Sequence, residues 1–181
     1  CFRTIEYLNN CLPEIKGKFL MTGCPVIYGN DLLAGKSFSN KEDKIVVTTT
    51  ERGFWFRREI ATINFVRKNY PNADKFLVLH QDFSNNTWKE FLINLKKNQP
   101  PIQFLRWYAE RLGFTVLIPK TAEQAQQFYK GCDLHIGSRL HAHLFFLSLA
   151  KKSFLTYVDD RSTGFSEYLQ FPIVDIKNIK K

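Results

Sequence analysis

Apolar and polar residues follow one another in blocks along most of this chain, and the period inside each block names the element it predicts. Ile45-Val46-Val47-Thr48-Thr49 is a β-branched run without a charge, as expected of a strand covered on both faces. Phe56, Ile60, Ile63 and Val66 then recur at helical spacing up to Tyr70, and Pro71 stops the helix. Phe76-Leu77-Val78-Leu79 predicts a second buried strand. Thr87-Trp88-Lys89-Glu90 reads as a capping box, in which Thr87 and Glu90 satisfy each other's free backbone N–H groups at a helix start. A further helix opens at Pro101, turns Ile102, Leu105, Ala109 and Leu112 to one side, and ends before Gly113. Residues 114–118 form strand three. Thr121 and Gln124 repeat the capping-box pattern, with Ala122, Ala125 and Phe128 inward and Gly131 as the stop. Residues 133–136 are strand four, Leu140, Leu144 and Leu147 mark the next helix, and residues 153–158 are strand five. A short helix near 166–169 and a strand near 173–175 close the pattern.

Strands that alternate with helices need crossover connections, which a mostly parallel sheet with helices on both faces supplies. The predicted fold class is therefore α/β, doubly wound and Rossmann-like. Upstream the period is lost. Residues 1–17 read as a helix through Ile5, Leu8, Leu12 and Ile15, weakened by Pro13, and the short run from Phe19 to Gly29, broken by Gly and Pro, with the polar stretch from Asn30 to Lys44 reads as a connecting region. This divides the chain into an N-terminal helix and connecting segment, 1–43, and a Rossmann-like lobe, 44–181.

Composition changes this picture little. With 17 Phe, 7 Tyr and 3 Trp in 181 residues, the chain has the apolar surface to offset its ordering entropy, which excludes a disordered class. No apolar stretch approaches the roughly 20 residues of a membrane span. The chain opens at Cys1 without an initiator Met or a signal-like segment, as an internal piece of a longer protein would. Cys1, Cys11, Cys24 and Cys132 show no zinc-like spacing, and a core of this size needs no disulfide, so a reducing, cytoplasmic setting is expected. The 26 Lys plus Arg against 17 Asp plus Glu give +9, but the basic residues are scattered in ones and twos without an RNA-binding motif. That balance suits a small anionic ligand better than nucleic acid.

In a doubly wound sheet, ligands bind outside the carboxyl ends of the strands. The residues that follow the predicted strands are Glu51-Arg52, His80-Gln81-Asp82, Pro119-Lys120, Gly137-Ser138-Arg139 and Asp159-Asp160-Arg161. Arg52, Lys120, Arg139 and Arg161 would converge on one edge, which implies a ligand with two or more negative groups. The densest signal is Asp133-Leu134-His135-Ile136-Gly137-Ser138-Arg139-Leu140-His141-Ala142-His143. Gly137 permits a tight turn, Ser138 is suited to cap the following helix, and Arg139 can hold a carboxylate or phosphate in bidentate fashion at the helix mouth. His141 reaches the same ligand as a donor or proton source. His80, at a strand end, is a further candidate. His135, inside a strand, reads as a hydrogen-bonded core histidine, and His143, one turn after Arg139, as a contact to a neighbouring element. His141 with His143 fails as a metal pair, because helical i,i+2 residues point apart. Phe145-Phe146, Cys24 and Cys132 read as packing residues.

The ordered set Ile136-Gly137-Ser138-Arg139-Leu140-His141-Ala142, then Asp159-Asp160-Arg161-Ser162-Thr163-Gly164-Phe165, with Thr22-Gly23-Cys24-Pro25 upstream, resembles the C-terminal part of the polysaccharide pyruvyl transferase family. The likeness covers about residues 19–172, and Arg161 stands where many members have Lys. The resemblance implies one lobe of a two-lobed fold like that of the GT-B glycosyltransferases, with the other lobe upstream. It implies transfer of the enolpyruvyl unit of phosphoenolpyruvate, the co-substrate, onto sugar hydroxyls to form a pyruvate ketal, with no metal site assigned. Arg139 would then bind the donor's anionic groups, and His141 would bind its phosphate or act as general acid. Position alone adds Arg52, Lys120 and Arg161 as donor contacts and Glu51 as a base for the acceptor hydroxyl. The rival readings are a GT-B lobe that binds a nucleotide sugar, with Glu167 for the ribose diol, and a non-catalytic lobe for anionic glycans or nucleic acid.

Overall fold

A computed structural model of the chain describes residues 40–50, 56–80, 102–156, 160–169 and 173–174, with isolated positions between 7 and 14. The predicted N-terminal helix, most of the connecting segment and the helix after Thr87 lie outside the described residues. The elements follow in strict alternation: β1 (Lys44–Thr48), α1 (Phe56–Asn69), β2 (Asp74–Val78), α2 (Ile102–Arg111), β3 (Thr115–Leu117), α3 (Ala122–Lys130), β4 (Leu134–Gly137), α4 (Leu140–Ser148), β5 (Lys152–Thr156), α5 (Asp160–Leu169) and β6 (Ile173–Val174). The six strands form one sheet in the order β3-β2-β1-β4-β5-β6, and every adjacent pair is parallel. This is the doubly wound α/β fold that the alternation predicts.

The strand period of two divides the core into two layers. Ile45, Val47, Leu77, Leu79, Leu134 and Ile136 pack with Ile63 and Val66 of α1 and with Leu105 and Ala109 of α2. On the opposite face, Val46 and Val78 meet Ala125 and Tyr129 of α3 and Ala142 and Phe146 of α4. Each fully buried Val, Leu, Ile or Phe removes enough apolar surface from water to contribute about 1.5–3 kcal/mol. Strands covered on both faces therefore read as unbroken apolar runs.

Local signals set the element ends. Gly113 ends α2 with φ +83, a left-handed conformation that favours glycine. The Lys75 ammonium fixes the turn between α1 and β2 by donating to the carbonyls of Tyr70, Pro71 and Ala73. Thr121 caps α3, its hydroxyl accepting the Gln124 N–H at 3.2 Å. The reciprocal half of the predicted capping box is displaced by one residue: the Gln124 side chain accepts from the N–H of Lys120, at 2.9 Å, instead of Thr121. Gly131 does end α3, but with φ −82 it needs no glycine-specific geometry.

The chain winds outward from β1 through β2 to β3, crosses back through α3, and resumes with β4 on the other side of β1. The carboxyl ends of β1 and β4 are thus the topological switch point, where the two connections part and leave a crevice.

Candidate functional site

Gly137, Ser138 and Arg139 leave β4 at that switch point, and each is placed by its contact with β1. Gly137 sits opposite Thr48 in the register. A Cβ at position 137 would fall 2.2 Å from the Thr48 carbonyl oxygen and 2.6 Å from its Oγ1. Sequence suggests that Gly137 serves a tight turn; the structure gives another reason, the close approach of two strands, and the positive-φ glycine among the described residues is Gly113. Ser138 also departs from expectation. It is buried and does not cap α4; the N-cap position is Arg139, which makes no side-chain cap bond. The Ser138 hydroxyl turns back into the crevice and donates to Glu59 Oε1 at 3.2 Å. The bend that brings the chain off β4 points the serine toward β1 and α1, one residue too early to reach the helix amides.

Arg139 is half-buried at the mouth of α4. Its Nε donates to the Thr49 carbonyl at 2.7 Å and its amide N–H to Thr48 Oγ1 at 3.3 Å, so the guanidinium is tethered across the end of β1.

Glu59 is the residue that sequence reasoning missed. It is 2% exposed, in the first turn of α1. Its Oε1 accepts from the Thr50 N–H at 3.0 Å, the Thr50 hydroxyl at 3.0 Å and the Ser138 hydroxyl. Oε2 is buried without a hydrogen-bond partner among the described residues. Burial pushes the carboxyl up to about 7, against the lowering effect of the Thr50 and Ser138 bonds and of the Arg58 charge. A signal was there: Glu59, Thr62, Ile63 and Val66 share one buried helix face, so an acid stands where the apolar stripe calls for an aliphatic residue. A carboxyl that is half neutral near pH 7 inside a ligand crevice is the kind of group that functional sites assemble.

Beside the crevice, above β2 and β3 and between α3 and α4, lies an open cleft of about 370 Å³ lined by His80, Pro119, Lys120, Thr121, Gln126, Tyr129, His141 and Phe145 among others. His80 shares a hydrogen bond with the Tyr129 hydroxyl at 3.0 Å. Although its outer edge meets solvent, partial burial in the cleft, then the positive fields of Arg139 and His141, hold its imidazole down to about 4. It is a neutral group facing a cationic wall. His141 is exposed on the first turn of α4, and Lys120 is exposed at the end of the β3 connection.

The fold therefore brings Gly137, Ser138, Arg139, His141, His80 and Lys120 to one sheet edge. Glu51 and Arg52 lie outside the described residues. Arg161 is in the first turn of α5, and its side chain is outside them as well. His135 is fully buried and bonded at both nitrogens, to Thr48 Oγ1 at 2.8 Å and Ser153 Oγ at 2.7 Å. His143 is buried with Nδ1 2.7 Å from Ser153 Oγ. Cys132 packs in the core, where burial pushes its thiol up to about 11 and leaves it inert. Phe146 is core, whereas Phe145 is half-buried and reaches the cleft. No group of three or more His, Cys, Asp or Glu able to hold a metal occurs among the described residues, and no helix among them is long and apolar enough to cross a membrane.

The arrangement can hold a small anion with more than one charged group. The Arg139 guanidinium stands at this edge, Lys120 and His141 line the neighbouring wall, and the α4 N-terminus faces the same edge. No curated protein gives a significant match to the chain. The family model described as polysaccharide pyruvyl transferase matches residues 12–160.

Proposed function

The chain belongs to the polysaccharide pyruvyl transferase family, and from that premise we propose that residues 44–181 are the donor-binding lobe of an enzyme that uses phosphoenolpyruvate. The observation that carries this reading is the tethered Arg139 beside a cleft lined by His80, Lys120 and His141. Phosphoenolpyruvate presents a carboxylate and a phosphate on the same carbon, C2, and a guanidinium fork with a second cation nearby matches two such groups. Arg139 grips the carboxylate, and Lys120 and His141 meet the phosphate.

Chemically, one sugar hydroxyl adds across the carbon–carbon double bond: its oxygen bonds to C2 and a proton goes to the methylene carbon, which becomes a methyl. A second hydroxyl of the same sugar then displaces phosphate from C2 and closes the ketal. His141 supplies the proton to the methylene or to the departing phosphate. Glu51 takes the proton of the attacking hydroxyl, and Arg52 and Arg161 complete the cationic edge. The acceptor glycan is presented by an upstream lobe in a GT-B-like arrangement, and the cysteine usage suits a reducing, cytoplasmic setting.

The test uses the full-length protein with phosphoenolpyruvate and a panel of glycan acceptors. Acceptor-dependent phosphate release, with an acceptor product carrying a pyruvate ketal, is the expected result. Thermal shift should rank phosphoenolpyruvate above nucleoside diphosphates and polyanions, since only a ligand that prefers the native state raises Tm. Arg139→Lys should weaken donor binding about tenfold or more, roughly 1.4 kcal/mol, because an ammonium lacks the fork. A larger shift with nucleoside diphosphates and no phosphate release would replace this reading with nucleotide-sugar transfer.

A further inference from the structure

Three buried polar side chains, Thr48, His135 and His143, and the half-buried Ser153 form a continuous hydrogen-bonded chain that begins and ends on the first turn of α4. The Arg139 amide donates to Thr48 Oγ1 at 3.3 Å. From there the links run Thr48 Oγ1 to His135 Nε2 at 2.8 Å, His135 Nδ1 to Ser153 Oγ at 2.7 Å, and Ser153 Oγ to His143 Nδ1 at 2.7 Å. The path leaves α4, crosses β1, β4 and β5, and returns to α4 one turn further on. Thr48 and His135 are fully buried and His143 nearly so.

Counting protons shows that these groups act as a unit. Each hydroxyl owns one proton and each neutral imidazole one N–H. Neutral His135 must donate from one ring nitrogen and accept at the other, so its bridges to Thr48 and Ser153 run in one direction, and Ser153 Oγ joins that pair to His143 by donating to or accepting from its Nδ1. Burial favours the neutral imidazoles that this count requires: it lowers His143 to about 4 and holds His135 well below the usual histidine range.

We propose that Thr48, His135 and Ser153 are positioning residues, whose chain clamps both ends of the first turn of α4 to the sheet and so fixes where Arg139 and His141 stand. This rests on reading Arg139 and His141 as the donor-binding pair. Arg139 and His143 are one helical turn apart, joined by the His143 N–H to Arg139 carbonyl bond at 3.0 Å. Tying both to the sheet removes translation and rotation of the turn together. His141, two residues from each, then projects toward the cleft instead of the sheet. Apolar side chains would fill the same space without fixing that rotation, whereas directional hydrogen bonds between buried groups specify one arrangement. Misplacement of a binding group by about 1 Å can cost on the order of 10²-fold in rate.

The experiment compares Thr48→Val, Thr48→Ser, Ser153→Ala and the Thr48→Val/Ser153→Ala double variant in the full-length protein. It reads amide exchange at Arg139, imidazole 15N shifts of His135 and His143, and kcat and KM with phosphoenolpyruvate. Thr48→Val should speed Arg139 exchange about tenfold or more and lower kcat/KM about 10- to 100-fold, and Thr48→Ser should restore both to within about threefold. Ser153→Ala should shift both histidines together and act in the same direction. The double variant should be no worse than the worse single one, whereas two unrelated packing defects would add. Additive effects, or Arg139 exchange and His135 shifts unchanged in Ser153→Ala, overturn the clamp. If Thr48→Val fails to fold, Thr48→Ser and Ser153→Ala decide it. If the wild type does not consume phosphoenolpyruvate, the functional reading falls, and the exchange and 15N measurements still decide the clamp.

Discussion

The carboxyl edge of this sheet holds two regions that meet at Arg139 and treat water in opposite ways. Between β1 and β4, the side chains of Thr48, Thr49, Glu59, His135 and Ser138 are all buried; Thr48, His135, Ser138 and Glu59 Oε1 bond to neighbouring groups, while Thr49 Oγ1 and Glu59 Oε2 have no hydrogen-bond partner among the described residues. Next to them, over β2 and β3, the cleft is open, and Lys120, Thr121, Gln126 and His141 stand in solvent. The buried crevice carries costs that a merely structural core would avoid: a buried carboxyl and a strand contact too tight for any side chain. The open cleft carries almost none. A rigid wall of buried polar groups beside an exposed floor is the division expected when one part must hold an arginine still and the other must admit a ligand.

The sharpest way to break the crevice is Gly137→Ala. The new methyl would overlap the Thr48 carbonyl, backbone that cannot swing aside, so a loss of about 3 kcal/mol or more is expected in chemical denaturation. A variant within 1 kcal/mol of wild type, on that order-of-magnitude scale, would mean the two strands are not held so closely.

Glu59 tests the same region through pH. Its folded value, about 7, lies above its ordinary 4.5, so between these the folded state binds more protons than the unfolded state. The contribution of Glu59 to stability is therefore fully present below about 4.5, is lost as pH rises through 7, and amounts to roughly 3 kcal/mol in all. Glu59→Gln keeps an acceptor for Thr50 and Ser138 and removes the ionisation. It should flatten this part of the pH profile and be the more stable protein at pH 8, measured by denaturant titration across pH. A parallel decline in both proteins would show that Glu59 does not ionise in the crevice.

The cleft should respond in the other currency, function without stability. His141→Ala removes an exposed side chain, so Tm should move by less than about 2 °C, while turnover in the full-length enzyme falls about 10²-fold. Full turnover would take His141 out of the mechanism.

Smaller effects refine the boundary. Thr121→Ala removes the cap of α3, which forms one wall of the cleft, and should cost about 1 kcal/mol in unfolding free energy. Least of all for folding, but informative for binding, is the titration of His80. Its lowered pKa means the folded state resists protonation, so its contribution is present at neutral pH and is lost as pH falls from 6.5 toward 4. A bound dianion would offset the fields of Arg139 and His141, and the NMR pKa of His80 should rise when phosphoenolpyruvate is added. An unchanged value would place the ligand elsewhere.

Much of this molecule was legible one residue at a time. The β-branched run at Ile45, the helix stripe through Ile60 and Ile63 and the stop at Gly113 each depend on neighbours within a turn or two, which is the range over which the sequence pattern is informative. Strand ends shifted by a residue or two, because ladder bonding and not side-chain pattern sets where a strand stops. Ser138 was misread for a related reason: its side-chain type suits a cap, and only the direction of the bend after β4 sends its hydroxyl to Glu59.

By itself, then, the sequence determined the alternation of elements, hence the parallel sheet, and the identity of the basic residues that follow its strands. The tertiary structure alone decided what those residues face. The sheet order β3-β2-β1-β4-β5-β6 sets Thr48 beside Gly137 across 89 positions of sequence, makes that junction the switch point, and lets Glu59 and His135 join one buried polar wall. Side-chain periodicity records whether a position is inside or outside. It carries no record of which distant polar group will satisfy a buried one, because that pairing exists only after the strands have been laid side by side.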